Sequence, residues 1–446
     1  MKNDKNNKTS IFKKVRIKIL RPCYYVFKKV APGLAWWIKN NMLRIWSKVK
    51  NSSSDQNAFI KGRIAYKGRL LIDVTAITEN DAKTGIQRVT REVSRELIKQ
   101  GAILVRDWEG GLITSRKFYA DLVGKEFDGI EHKIKLDHNA LFLLDASWNK
   151  TMDFSEIISD VNKHNGSSYA FVHDIIPVLY PELITSDEMK RAFYAWHEML
   201  IKKCNGIICN SHATAHGVKW LRDKFNISNH KDLRIYGTFL GSDFSPRDNK
   251  NKLDIRDTIA RFITSDKKTT LFLMVGTVEP RKGYLVALDA IESILKAGEN
   301  IKLLIIGHNG WKNDDFINRL HNDSLYGERL LWIDNGTDQE LEWCYKHANA
   351  LIAASKDEGY GLPLVEAGYY GLPIICSDIP IFREVAGENA TYFKEGDAAD
   401  LAVKIKAWVE SSRRPDSAKI KKYTWRELSE RIIDIIENKI KADYTL

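Results

Sequence analysis

The residues with the clearest chemical potential lie between Glu358 and Glu366, two acids that flank a short glycine-rich segment. Gly359 and Gly361 let the backbone approach a ligand closely, and Pro363 suits the first turn of a helix. Backbone N–H groups at the start of such a helix, with the helix dipole behind them, bind anions. Acids beside an anion repel it unless they accept hydrogen bonds from hydroxyls or stabilise a cationic centre. The segment therefore predicts a ligand with phosphate and hydroxyl groups, and Glu366 is suited to ribose hydroxyls.

Two adjacent cations, Arg281 and Lys282, follow an apolar run that closes on Gly276 and Thr277. The pattern predicts a strand followed by a turn and a helix, which places the cations at a strand-to-helix turn. An arginine can bind two phosphate oxygens at once, while a lysine supplies a compact point charge. The pair is therefore suited to a diphosphate.

In the first half of the chain, His173 and Asp174 follow another strand-like run. A histidine after a buried strand is commonly structural, but its place at a strand end before an acid favours a role in the site. His212 and His216 are four residues apart without the glutamate of a zinc-binding helix, which indicates a structural role. No Asp-x-Asp triplet occurs in the chain. The two cations and a helix N-terminus would therefore neutralise a diphosphate without a metal ion.

Short apolar runs alternate with helical patterns along most of the chain, which predicts parallel sheets with helices on both faces. Two sets of strands are expected, at residues 70–74, 140–145, 169–173, 206–209 and 233–236, and at 271–276, 303–307, 330–333, 351–354 and 373–376. Helices are expected between them, at 86–99, 188–203, 212–224, 284–297, 314–321, 338–347, 363–370 and 380–386. The fold class is therefore α/β with two Rossmann-like, doubly wound domains. Ligand crevices of such domains lie at the carboxyl ends of their strands, so facing domains would form the site in the cleft between them.

A chain of 446 residues suits two domains with an appendage. We expect an N-terminal segment and linker at 1–57, a first domain at 66–245, a second domain at 255–425 and a C-terminal helix at 426–446 that packs back on the first domain. A polar stretch near 245–256 marks the linker between the domains. The five cysteines include no C-x-x-C pair, which predicts buried, reduced thiols in a cytosolic protein.

Positive charge is concentrated in the first 50 residues, which contain 14 Lys and Arg and one acid, Asp4. The segment has a net charge of +13 and the whole chain has a net charge of +11, so the remaining residues have a net charge of −2. A nucleic-acid enzyme would more often carry positive charge along a groove of its folded body, so this distribution argues against that class. The uncharged run at 30–38 is shorter than the about 18 residues that cross a bilayer, and no cleavable signal follows the basic start. Residues 11–50 mix cations with aromatic residues, which favours binding to an anionic membrane surface. A basic helix packed on the body is the alternative.

These motifs resemble those of the family 4 retaining glycosyltransferases, which have the GT-B fold. The family hallmark is a pair of glutamates separated by seven residues, which Glu358 and Glu366 match. The resemblance is close over roughly 270–395 and looser over 70–245. It extends through Gly276, Arg281-Lys282-Gly283, Gly307 to Trp311, Gly371-Leu372-Pro373 and Glu384 to Gly387, and more loosely through Thr84 to Val89, His173 to Pro177 and Asn210-Ser211.

The resemblance implies a role for each matching residue. Arg281 and Lys282 would bind the donor diphosphate and stabilise it as the leaving group. Glu366 would bind the ribose, Glu358 would lie near the donor sugar, and His173 would contact the transferred sugar. The remaining implied residues are Gly85, Gly276, Thr277, Gly359, Tyr360, Gly361 and Leu362 on the donor side, and Asp174 and Asn210 on the acceptor side.

The expected reaction is transfer of a sugar from a nucleotide-sugar co-substrate, with retention of configuration and with neither a cofactor nor a metal. The first-domain motifs look like those of bacterial transferases that build O-antigen or capsule chains, many of which resemble mannosyltransferases that use GDP-mannose. UDP-sugars and dTDP-rhamnose remain open. The basic N-terminal segment would place the enzyme at the inner face of the bacterial cytoplasmic membrane, where polyprenyl-linked glycan acceptors reside.

Two other functions fit the same double-Rossmann plan. A nucleotide-sugar epimerase needs no acceptor, and the basic N-terminal segment argues against it. A non-catalytic, membrane-tethered scaffold would not need the pair Glu358 and Glu366 or the pair Arg281 and Lys282, which are both intact.

Overall fold

The computed structural model describes residues 59–65, 68–81, 84–184, 186–230, 232–243, 255–265 and 268–446. The predicted membrane-binding segment at 11–50 and most of the polar linker after residue 245 lie outside the described residues. The chain divides into two units, Met1–Gly62 with Phe127–Glu131, and Arg63–Glu126 with His132–Leu446. Of the first unit, only 59–62 and 127–131 are described. The second unit contains both halves of the predicted site. We call its described residues within 68–243, together with 425–446, the first lobe, and its described residues within 255–424 the second lobe.

The first lobe is built on a largely parallel sheet. Strand β1 (Phe59–Ala65) precedes this lobe, whose strands are β2 (Leu70–Asp73), β3 (Ile103–Trp108), β4 (Gly111–Thr114), β5 (Ile130–Lys135), β6 (Ala140–Leu143), β7 (Ser167–Val172), β8 (Gly206–Cys209), β9 (Arg234–Gly237) and β16 (Tyr444–Thr445). Their order in the sheet is β5-β4-β3-β2-β6-β7-β8-β9-β16, in which β4, β5 and β16 are antiparallel to their neighbours. The helices are α1 (Thr75–Glu79), α2 (Gly85–Lys99), α3 (Arg116–Val123), α4 (Thr151–Lys163), α5 (Ile176–Leu179), α6 (Asp187–Lys203) and α7 (His212–Lys224).

The second lobe is a parallel sheet with the order β12-β11-β10-β13-β14-β15. Its strands are β10 (Thr270–Val275), β11 (Ile301–Ile306), β12 (Leu330–Ile333), β13 (Ala350–Ala353), β14 (Ile374–Ser377) and β15 (Thr391–Phe393). Its helices are α8 (Asp257–Thr264), α9 (Tyr284–Lys296), α10 (Asp314–Asn322), α11 (Asp338–His347), α12 (Leu362–Tyr369), α13 (Pro380–Ala386) and α14 (Ala398–Glu410). The α/β class with two doubly wound sheets is confirmed.

Burial explains why most of the parallel strands could be predicted from the sequence. Strand β11 is buried at all six positions because helices cover both faces of its sheet. Helix α2 instead buries a single stripe, with Val89, Val93 and Leu97 at four-residue spacing against the first-lobe core. Thr84 caps this helix and forms a reciprocal capping box with Gln87, which fixes the residue at which α2 begins.

The C-terminal end of the chain returns to the first lobe. Helix α15 (Trp425–Ile436) contacts α2, and the backbone N–H of Trp425 donates to Asp243 at 2.7 Å. Strand β16 then pairs antiparallel with β9, with Tyr444 opposite Ile235. The segment predicted as one helix at 426–446 is thus a helix followed by a short strand. No helix among the described residues is long and apolar enough to cross a membrane.

Candidate active site

The second-lobe half of the site forms where β10 and β13 end. Strand β10 stops at Val275, Gly276 takes a positive φ of 132°, and a single 3-10 turn over Pro280–Lys282 leads into α9. Gly283 joins that turn to α9 with φ 67°, and a Cβ at this position would lie 2.0 Å from the carbonyl oxygen of Ala354. Only glycine fits there, so this contact fixes the β10 turn against the end of β13.

A buried ion cluster occupies this edge. Glu358 accepts from Nη1 of Arg281 at 2.5 Å, from Nζ of Lys282 at 2.5 Å and from the hydroxyl of Ser355 at 2.8 Å. Burial alone would raise the pKa of Glu358, but Arg281 and Lys282 outweigh it and lower that pKa to about 2. The two predicted diphosphate cations and one predicted acid are therefore together, paired with each other.

Arg281 has a second acid partner. Its Nη2 donates to Oε1 of Glu279 at 2.7 Å, and its Nη1 also donates to the carbonyl oxygen of Asp357 at 3.2 Å. Glu279 is buried, and its Oε2 has no hydrogen-bond partner among the described residues. Burial raises the pKa of Asp357 to about 6, with the nearby charge of Glu358 adding to the effect. The cations thus lie among several acids, and sequence reasoning did not identify Glu279 or Asp357.

Gly359 meets the first lobe directly. A Cβ at this position would lie 2.1 Å from the carbonyl oxygen of His173. The carbonyl oxygen of Gly359 accepts from the hydroxyls of Ser211 at 2.9 Å and Thr214 at 3.2 Å. Nδ2 of Asn210 donates to the carbonyl oxygen of His173 at 2.7 Å, while its buried Oδ1 lacks a partner in the part of the chain that is described. The structure therefore brings Gly359, His173 and Asn210 together across the cleft.

The ring of His173 is buried, and its Nε2 lies 3.1 Å from the carbonyl oxygen of Leu144. Burial lowers the pKa of His173 to about 4, so the ring is neutral near pH 7. Because a carbonyl oxygen only accepts, Nε2 carries the hydrogen and Nδ1 is left as an acceptor. Burial raises the pKa of the adjacent Asp174, which Arg281 opposes, so this first-lobe acid lies within electrostatic reach of the ion cluster.

Glu366 lies apart from the ion cluster and has partners of its own. Its Oε1 accepts from Nη1 of Arg88 at 2.6 Å, and its Oε2 accepts from the hydroxyl of Tyr345 at 2.7 Å. Arg88 belongs to α2, one turn after Gly85, so this ion pair joins the two lobes. Sequence reasoning quoted Arg88 within a motif but gave it no role, and no local pattern marked Tyr345.

The remaining predicted donor-side residues have varied positions. Gly85 is the first residue of α2, and a Cβ there would meet no atom within 4 Å. Gly361 caps α12 with a φ of 90°, and Leu362 is the first residue of that helix. Tyr360 is buried, and Thr277 is half-buried in the loop after β10. Their roles remain predictions. Within the described ranges, no three acidic, histidine or cysteine side chains gather as a metal site would require.

Two doubly wound sheets whose strand ends carry a cationic, glycine-lined site are typical of the GT-B fold. Residues 255–427 match the family described as glycosyl transferases group 1, so the second lobe carries a domain of that family. The structure of HepE from Anabaena in complex with UDP and glucose is similar over 83% of this chain and 99% of that one, with a TM-score of 0.57 and 13% identity. At that identity the likeness shows the fold alone.

Relatives by sequence are bacterial mannosyltransferases. The chain is 29% identical over 427 residues to the serotype-specific mannosyltransferase WbdA of Escherichia coli, which is 91% of this chain and 52% of that protein. It is 24% identical over 194 residues to the GDP-mannose:cellobiosyl-diphosphopolyprenol alpha-mannosyltransferase of Xanthomonas oryzae pv. oryzae, which is 42% of this chain and 50% of that protein. The chain thus spans about half the length of these curated relatives. The family resemblance stated from the motifs is confirmed.

Proposed function

We propose that this chain transfers mannose from GDP-mannose to a lipid-linked bacterial surface glycan, with retention of configuration and without a metal ion. The names of the relatives support this donor and this class of acceptor. The observation that carries the proposal is the buried cluster of Arg281, Lys282 and Glu358 at the strand edge. Burying two cations at one loop is costly unless they are paired, and a diphosphate is a natural partner for them.

A donor diphosphate would compete with Glu358 for the two cations, because it carries more charge and more acceptor oxygens than one carboxylate. Arg281 and Lys282 would then stabilise the phosphate more strongly as its bond to the sugar breaks. Glu358, released from them, would lie beside the sugar ring, where its negative charge stabilises the positive charge that develops. The acceptor would attack on the same face, and the leaving phosphate would take its proton.

The first lobe would supply neutral groups to the sugar. His173 is uncharged near pH 7 and offers Nδ1 as an acceptor for a hydroxyl. Asn210 offers an unpaired Oδ1 beside it. Neither group adds charge next to the developing cation, so they would orient the sugar without competing with the leaving phosphate.

Hydrolysis and transfer assays on Lys282→Ala test the enzymatic role. We expect the rate of GDP release from GDP-mannose to fall by about 100-fold or more, because a preplaced cation at the leaving group is lost. Lys346→Ala is the matched control, since that lysine pairs with Glu342 on the exposed face of α11. Equal rates of GDP release for wild type and Lys282→Ala would favour the non-catalytic scaffold over the transferase. A changed sugar still attached to GDP would indicate an epimerase.

A thermal-shift comparison of GDP, UDP and dTDP tests the donor. We expect GDP to raise the melting temperature most, because at equal concentration a tighter ligand stabilises the folded state more. Stabilisation by UDP or dTDP without stabilisation by GDP would contradict the assignment of GDP-mannose and leave the transferase class intact.

Metal independence needs its own assay. Transfer should persist in EDTA, because Arg281, Lys282 and the N-terminus of α12 would neutralise the diphosphate. Loss of activity in EDTA with recovery in Mn²⁺ would show that this part of the proposal is wrong.

Association with membrane is proposed from the basic, aromatic composition of residues 11–50 alone. Wild type should pellet with vesicles of anionic lipid, and a variant lacking residues 1–50 should stay in the supernatant. Equal pelleting of the two proteins would show that residues 1–50 are not needed for membrane binding.

A further inference from the structure

We propose that Arg88 and the ribose of the donor nucleotide compete for the same oxygen of Glu366, so that an ion pair between the lobes regulates donor binding. The inference rests on the proposed function, in which Glu366 binds ribose hydroxyls. It assigns a regulatory role to Arg88, a residue outside the predicted donor site.

The geometry of Glu366 separates its two oxygens. Oε2 accepts from Tyr345, which is buried in the same lobe on α11 and stacks on the ring of Tyr370 with centroids 5.6 Å apart. Oε1 accepts from Arg88, which reaches it from α2 of the other lobe. The ion pair from across the cleft is therefore on the Oε1 side, which is the side that a nucleotide entering the cleft would meet.

The two partners cannot share Oε1 without cost. The side chain of Glu366 is 4% exposed and that of Arg88 is 31% exposed, so the carboxylate is nearly closed to solvent while the arginine at its Oε1 is partly open to it. A carboxylate oxygen can accept two hydrogen bonds, so the competition is for the space around Oε1 and not for its lone pairs. Because so little of Glu366 is exposed with Arg88 in place, we expect a ribose hydroxyl to reach Oε1 when Arg88 moves aside.

Arg88 has somewhere to go when it is displaced. The charges of Asp338, at the start of α11, and of Glu92, one turn further along α2, both act on its guanidinium in the same direction as that of Glu366. The helix itself need not move, because the capping box of Thr84 and Gln87 holds its first turn. Exchange of Arg88 for ribose would then remove one connection between the lobes as the donor binds.

Calorimetric titration with GDP and with 2′,3′-dideoxy-GDP tests the competition. Arg88→Gln should bind GDP at least about fivefold more tightly than wild type, a coupling of the usual size between linked sites. Its affinity for 2′,3′-dideoxy-GDP should equal that of wild type, because this nucleotide lacks the hydroxyls that compete. Arg91→Gln, which removes an arginine of the same helix that is about equally exposed but pairs with Asp81, is the control and should change neither affinity.

The outcomes separate the two proposals. Unchanged or weaker GDP binding by Arg88→Gln, or equal tightening for both nucleotides, overturns the competition while leaving the transferase proposal in place. A wild type that binds neither GDP nor UDP overturns the proposed function and the competition together; if UDP alone binds, UDP and its dideoxy form replace the guanine nucleotides. Circular dichroism checks the fold. Arg88→Lys keeps the charge but has fewer donors, so it should also tighten binding of GDP and not of 2′,3′-dideoxy-GDP, by a smaller factor than Arg88→Gln.

Discussion

Glu358 in the second lobe and Asp73 in the first lobe are both buried carboxyls near the carboxyl ends of parallel strands, yet their pKa values are shifted in opposite directions. Asp73 accepts only from neutral groups, including the N–H of Thr75 and the hydroxyl of Ser147, each at 3.0 Å. Burial, with the nearby Asp145, raises its pKa to about 8. Glu358 is buried too, but Arg281 and Lys282 lower its pKa to about 2.

The opposite pKa shifts indicate that the two lobes contribute different chemical groups to the cleft. The second-lobe edge holds fixed charges of both signs, which suits the capture and release of a diphosphate. On the first-lobe edge, two buried groups are neutral near pH 7, because Asp73 is mostly protonated and His173 is uncharged. Four substitutions test this contrast between the two lobes.

The largest effect is expected from Glu358→Gln, which leaves Arg281 and Lys282 buried with one acid fewer. Removing one partner of a buried ion pair costs about 3 kcal/mol or more, so the free energy of unfolding should fall by that amount. Urea titration measures it. Glu342→Gln is the control, since its pair with Lys346 is exposed and should change stability by at most about 0.5 kcal/mol. A loss below about 1 kcal/mol for Glu358→Gln would mean that the cluster is not a structural unit.

Gly359→Ala should weaken catalysis more than folding. Its Cβ would lie 2.1 Å from the carbonyl oxygen of His173, so the lobes could not keep their spacing at the site. A misplacement of about 1 Å lowers rates by roughly 100-fold, and we expect kcat to fall by that factor. Gly371→Ala is the control: a Cβ at residue 371 meets no atom within 4 Å, so any effect there comes from its positive φ. Equal activity of Gly359→Ala and wild type would show that the approach of Gly359 to His173 is not needed for transfer.

How far the sequence predicts the molecule also differs between the lobes. Five of the six second-lobe strands were placed to within two residues, because each is a buried apolar run followed by a helix, whereas the three-residue strand β15 was missed. In the first lobe β3 and the antiparallel strands β4 and β5 were missed. Strand β4 has four residues and follows a tight turn in which Glu109 has a positive φ, and β5 contains more polar than apolar residues. The two-residue strand β16 carries no pattern of its own.

The candidate site shows the same limit. Motif spacing located Arg281, Lys282 and Glu358 at neighbouring strand ends, but it assigned each to a ligand and could not show that they bind one another. Arg88 and Glu366 are 278 residues apart, and no local periodicity reports a contact of that separation. Contacts between side chains across a cleft depend on how the two lobes meet, and the local patterns of a single sequence do not report this.

The opposite pKa shifts predict opposite pH dependences. Asp73 has a folded pKa of about 8 and an ordinary value of 3.8, so between these values the folded state binds more protons. Stability is therefore lost as pH rises through this window, whereas the contribution of Glu358 is present above 4.5 and is lost as pH falls towards 2.

Asp73→Asn should remove the first of these losses. Relative to wild type, the variant should gain about 2 kcal/mol in unfolding free energy between about pH 5 and pH 6.5, since each pKa unit corresponds to about 1.4 kcal/mol. Urea titrations at the two pH values give the difference. Asp160→Asn, on the exposed end of α4, is the control and should run parallel to wild type. A parallel profile for Asp73→Asn as well would mean that Asp73 is ionised in the folded protein.

The smallest effect is expected where the lobes meet at the exposed rim. Lys356 of the second lobe pairs with Glu182 of the first at 3.0 Å and lies 4.4 Å from the centroid of the Tyr180 ring, but its side chain is 37% exposed and that of Glu182 is 59% exposed. Exposed pairs contribute about 1 kcal/mol or less because water and salt screen them. Lys356→Ala should therefore keep kcat within about threefold of wild type. A loss as large as that of Gly359→Ala would show that rim charges, and not the buried approach at Gly359, set the spacing of the lobes.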